Sequence, residues 1–159
     1  EGVITRYLME ELHIPDYLAR MAAAFSTGNI GRAVRFASST EFEEMKEDVL
    51  SILGHLDSGE NSVVLEQAKK LGEYKNDIRE CIDLMMLWFK DLLLVKATGD
   101  VNRVVYQEHY PTLRAQASVR GYHAIEEAVK AMEHAKAQLA SNVNFDNVME
   151  LMLLQLRAH

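Results

Sequence analysis

The segment from Asp77 to Thr98 sets the terms for everything else in this chain. Ile78, Ile82, Met85, Phe89, Leu92 and Val95 recur at intervals of three and four, one face of a helix. Leu84, Met86, Leu87, Trp88, Leu93 and Leu94 spill onto the other faces. A helix that is apolar nearly all round must be buried on several sides. Lys90-Asp91 interrupts its apolar run, which is too short to span a bilayer, and Gly99-Asp100 ends it. Such a helix needs partners. With only two prolines and eight glycines in 159 residues, the chain supplies them as further helices rather than as strands and tight turns.

Those helices can be read in order. Ile4, Tyr7, Leu8 and Leu12 mark a first helix over Val3 to His13. Pro15 and Asp16 open a second, where both residue types suit a first turn, and Leu18, Met21, Ala22 and Phe25 are its buried stripe. Gly28 stops it with a positive φ, and Asn29 caps a third helix burying Ile30, Ala33, Val34 and Ala37. Ser38-Ser39-Thr40 breaks the pattern, and Thr40 with Glu43 reads as a capping box. Phe42, Met45, Val49, Ile52, Leu53 and Leu56 follow at helical spacing. A shorter helix spans roughly Ser62 to Tyr74. Val101 to Pro111 is irregular, and a short helix follows it. Tyr122, Ile125, Val129, Met132 and Leu139 mark the next. After a turn at Asn142-Val143-Asn144, with Asn144 as cap, Phe145 to Leu156 closes the chain. The expected fold is all-α, with a small unit over 1–38 and a bundle over 41–159. The second is long enough for its own core; the first is expected to lean on a preceding domain.

Composition narrows the function. The net charge of −7 argues against a surface built to track phosphates. Residues 1–40 are balanced, so the whole excess falls on residues 41–159. The single cysteine, Cys81, excludes an intrachain disulfide and a thiolate zinc cluster. No secretory leader pattern opens the chain, and a cytoplasmic location is expected. A start at Glu1, inside a helical pattern, suggests a piece of a longer protein.

Catalytic patterns are missing from the sequence. Glu10 and His13 have the Glu-x-x-His spacing of a bundle metal site, but no second pair occurs, and no metal or cofactor is expected. There is no nucleophile elbow and no phosphate-binding glycine loop. Glu41, Glu43, Glu44, Glu47 and Asp48 read as a solvated face. Arg32 and Arg35, one turn apart at a helix start, have the spacing for a phosphate, yet two solvent-facing arginines is the simpler reading. Met85, Met86, Trp88 and Phe89 are consecutive and cannot share one face. Either their helix is central, or part of it meets another subunit. Met85, Trp88, Phe89 and Leu92, with Met149 and Met152, are therefore candidate interface residues.

Phe25-Ser-Thr-Gly28-Asn29-Ile-Gly31-Arg32-Ala-Val34 resembles the third lid helix of AAA+ clamp-loader subunits. The acidic helix from Thr40, the long helix ending Asp91-Leu-Leu-Leu-Val-Lys-Ala-Thr-Gly-Asp100, and the closing Leu139-x-x-Asn142-Val-Asn144 with Leu151-x-x-Leu154-x-Leu156 resemble a clamp-loader collar. The order of these motifs is most similar to the C-terminal part of bacterial DNA polymerase III delta-prime subunits. This resemblance implies an ATPase-like domain upstream, a lid remainder over 1–38 and an oligomerising collar over 41–159. It implies gamma/tau and delta subunits as partners, with the sliding clamp and primed DNA reached only through the whole complex. In ATP-hydrolysing relatives the lid helix carries an Arg that senses the γ-phosphate, a role suited to a guanidinium. Here Gly31 falls at that position, so Gly28, Asn29, Gly31 and Arg32 form a degenerate sensor. Arg32 lies about 100° further round the helix. The resemblance thus implies a subunit of the polymerase holoenzyme that holds the ring without hydrolysing ATP. A gamma/tau-type collar, a metal protein using Glu10 and His13, and an unrelated helical regulatory module are the alternatives.

Overall fold

A computed structural model describes residues 1–141 and 143–158; Asn142 of the predicted turn and His159 lie outside the described residues. Among the described residues there are nine α-helices and no strand. They are α1 (Gly2–Glu10), α2 (Asp16–Ser26), α3 (Ile30–Ser38), α4 (Thr40–Gly54), α5 (Ser62–Gly72), α6 (Ile78–Thr98), α7 (Tyr110–Ser118), α8 (Tyr122–Leu139) and α9 (Phe145–Leu156). Short 3-10 turns lie at Lys75–Asp77, Val101–Arg103 and Gln107–His109. No helix is long and apolar enough to cross a membrane among the described residues.

Helix α6 is the central element. It packs against α4, α7 and α8 and also meets α2. Ile78, Ile82, Met85, Phe89, Leu92 and Val95 are all buried, and so are Leu84 and Trp88 from its other faces. Gly99 ends it at φ +66. Helix α9 then closes the bundle against α5 and α8.

Capping follows side-chain chemistry. Asn29 accepts from the Arg32 amide at 3.0 Å, and Asn144 from the Asn147 amide at 3.0 Å, as the sequence suggested. The cap of α4 sits one residue earlier than predicted. Ser39, not Thr40, accepts from the Phe42 amide at 3.3 Å, and Thr40 is the first helical residue. Either hydroxyl suits an N-cap, so composition alone leaves that register open.

The helices of residues 1–38 do not stand apart. Phe25 of α2, Phe36 of α3 and Phe42 of α4 form a buried trio with ring centroids 4.9, 5.3 and 5.1 Å apart. Each such pair adds about 0.5–1.5 kcal/mol beyond burial. The surface that residues 1–38 were expected to offer a preceding domain is in part spent here, against this chain's own bundle.

The core is crossed by polar ties. Trp88 Nε1 donates to Gln116 Oε1 at 2.8 Å, and Gln116 Nε2 donates to the Leu53 carbonyl at 2.7 Å, joining α6, α7 and α4. Arg120 donates through both terminal nitrogens to Asp57 at 2.7 Å, and to the Leu156 carbonyl at 2.9 Å. Buried polar groups are tolerated only when satisfied in this way.

Candidate functional site at the Gly28 corner

The corner between α2 and α3 is built from three consecutive backbone decisions. Thr27 takes φ +48 and Gly28 φ +91, so the chain turns left-handed for two residues before Asn29 restarts the helix. Glycine carries such a φ without cost; a β-branched residue does not. Gly31 lies exposed in the first turn of α3. A Cβ there would meet only Asn29 Oδ1, at 3.4 Å. No neighbouring helix comes close enough to require a glycine at Gly31, whereas Ala33 is fully buried. Gly31→Ala is therefore expected to raise stability by about 0.5–1 kcal/mol through helix propensity. A thermal melt checks this, and a lowered midpoint would show a constraint at Gly31 that its open surroundings do not.

The two arginines of α3 pair with carboxylates at the start of α6, Arg32 half-buried and Arg35 still exposed. Arg32 pairs with Asp83, and its guanidinium lies 4.2 Å from the Phe25 ring centre. Arg35 reaches Asp77 at 2.9 Å and Glu80 at 3.6 Å, over the ring of Phe42. Asp83 also takes Lys136 of α8, at 2.5 Å. Asp77, Glu80 and Asp83 thus form a carboxylate stripe at intervals of three that engages both arginines. Arg35 remains solvent-facing while it is paired, whereas Arg32 is drawn into partial burial by Asp83 and Phe25.

The six residues expected at a subunit interface lie in the interior instead. Met85, Trp88, Phe89, Leu92 and Met149 are fully buried, and Met152 nearly so. The reason is the central position of α6, which is covered by α4, α7 and α8, while α9 buries its methionine face on α5 and α8. Glu10 ends α1, and His13 lies beyond it at φ +55, so the Glu-x-x-His spacing does not place the two on one helical face. Both side chains are exposed. Among the described residues, no group of three or more His, Cys, Asp or Glu residues could hold a metal.

The structure adds groups that sequence reasoning passed over. Asp91 is buried on α6, and its two oxygens accept the Val105 amide at 2.9 Å and the Tyr106 amide at 2.8 Å. It thereby pins the irregular 101–109 segment to the core, where Tyr106 is fully buried and donates to the Leu84 carbonyl at 2.8 Å. Burial raises the Asp91 pKa to about 6, against the two amide bonds that favour the carboxylate. Because the folded pKa exceeds the unfolded one, this contribution to stability is complete below about pH 4. It is lost as pH rises through about 6. Between pH 7 and 5 the chain is expected to gain about 1 kcal/mol from this group, and Asp91→Asn to lose that increment. Urea titrations at the two pH values test it; equal slopes in both proteins would contradict it. Cys81, also in the core, has its thiol pKa raised to about 12 by burial and is unreactive at neutral pH.

Over 150 residues, 92% of this chain, it is 23% identical to the DNA polymerase III subunit delta' of Bacillus subtilis (strain 168). The chain is similar to a delta' subunit. It spans 45% of that relative's length and fits a C-terminal piece of delta'. Because nearly the whole chain aligns, the likeness to delta' includes the corner as well as the bundle. No family model matches the chain, and no solved structure matches it.

Proposed function

We propose that this chain is the C-terminal assembly part of a delta'-type clamp-loader subunit. In this reading residues 1–38 complete a lid-like unit, and residues 41–159 form the collar that joins the gamma/tau and delta subunits. The assembled ring would load the sliding clamp onto primed DNA in the cytoplasm. The likeness to delta' over nearly the whole chain carries the proposal.

The corner supports a role in assembly rather than catalysis. A γ-phosphate sensor needs a free guanidinium aimed at a nucleotide. Gly31 has no side chain to offer, and Arg32 and Arg35 are engaged by Asp83, Asp77 and Glu80. The collar assignment needs a surface other than the six buried residues. Leu65, Leu93, Val119, Tyr122 and Leu151 are the large apolar residues that 41–159 exposes by 40% or more, together with Val143. These are the candidates for subunit contact, since partners bury apolar area at the centre of an interface.

The gene provides a direct test. The proposal requires the coding sequence upstream of Glu1 to specify an α/β domain of the ATPase type. An open reading frame that begins within a few codons of Glu1 would exclude it.

A further inference from the structure

Residues 1–38 share an apolar core with the rest of the chain, where α2 also packs on α6, and two features of this junction are distinct. One is apolar and adjacent to the connection itself: Phe25, Phe36 and Phe42 cluster beside Ser39, the one extended residue between α3 and α4. The other is ionic and lies at the start of α6: Arg35 on Asp77, just before the helix, and on Glu80, and Arg32 on Asp83. Asp83 carries this second contact onward, because Lys136 of α8 binds its other oxygen. Helices α3, α6 and α8 thus meet at one carboxylate.

We propose that Asp77, Glu80 and Asp83 are an electrostatic latch that sets the angle between residues 1–38 and the helical bundle, with Ser39 and the phenylalanine trio as its pivot. Two features make the latch releasable. Its side chains are partly exposed, with 29% of Arg32 and 22% of Asp83 open to solvent, so salt screens it. Its loss leaves the apolar core of the bundle untouched, because no latch side chain belongs to that core. Opening is then a hinge motion about a single extended residue that shifts α2 on α6. Asp83 acts as a positioning residue: it holds α3 in register with α6 and α8. This device is independent of what the assembled protein does.

Pulsed electron paramagnetic resonance on the 159-residue chain tests it. Spin labels at Glu10→Cys and Glu126→Cys report across the pivot, and labels at Glu66→Cys and Glu126→Cys report within the bundle. All three positions are exposed. Cys81 can stay in place, since its buried thiol does not compete for label. In the Asp77→Asn/Asp83→Asn chain, the distance distribution across the pivot is expected to broaden while that within the bundle stays narrow. The unsubstituted latch should behave the same way in ~1 M salt, where the screening length falls to about 3 Å. A distribution across the pivot that stays narrow in the variant, or that ignores salt, overturns the latch. So does joint broadening of both distances, which would mean general loosening.

Discussion

Replacing Asp57 by alanine is expected to cost about 3 kcal/mol of folding stability, because it strands a buried guanidinium. Arg120 has 2% of its side chain exposed and spends both terminal nitrogens on Asp57. The same guanidinium donates to the carbonyls of Gln116 and Leu156. Asp57 also accepts the Ala158 amide at 3.1 Å. This one pair therefore ties the turn after α4, the end of α7 and the end of α9. Removing the carboxylate leaves the charge in place without compensation, and that is what makes the loss large. Arg120→Met removes the charge and keeps much of the apolar stem, so its cost should be clearly smaller, as for other buried pairs replaced by apolar side chains. Urea denaturation of both variants tests the argument. Equal losses would show that Arg120 acts through packing rather than through its charge.

Trp88→Ala is expected to cost about 3–5 kcal/mol, in the range of large aromatic truncations in a core. Trp88 is fully buried on α6, with the Tyr106 ring 5.5 Å away and the His109 ring 5.8 Å away. It also satisfies Gln116, which in turn holds the Leu53 carbonyl. Trp88→Phe separates the two contributions. It refills most of the space but leaves Gln116 Oε1 without a donor, which costs about 1–3 kcal/mol. A phenylalanine variant as stable as the parent would show that the Trp88–Gln116 bond contributes nothing. Trp88 is the only tryptophan, so its fluorescence reports on the core in every variant that retains it.

The fold was legible where periodicity and chain punctuation agree. The apolar stripe of α6, Gly99 at its end, and the Asn29 and Asn144 caps all lie where spacing and side-chain chemistry put them. The 101–109 segment was not legible, because it is held from outside itself. Asp91, read in sequence as an interruption of an apolar run, is the acceptor that fixes Val105 and Tyr106. Nothing local to either segment announces that contact. The same limit applied to the candidate interface. Met85, Trp88 and Phe89 fit an internal or an intersubunit position equally well until the helices that cover α6 are placed. Asp77, Glu80 and Asp83 were a different case. Their interval of three marks one face at the start of α6, and its charge complements Arg32 and Arg35 at the same interval on α3.

The corner's left-handed turn and Asn29 cap are local necessities of joining two helices. Its arginines hold this chain to itself. Both features serve the joining of α2 to α3 and of α3 to α6.

Gel filtration of this chain with a gamma/tau collar, mixed at tens of micromolar, tests the assembly account most directly. The account predicts co-elution ahead of either component, weakened by charged substitutions at Leu65 and Leu151, which are exposed on the chain alone. Separate elution of the two components at that concentration would contradict it.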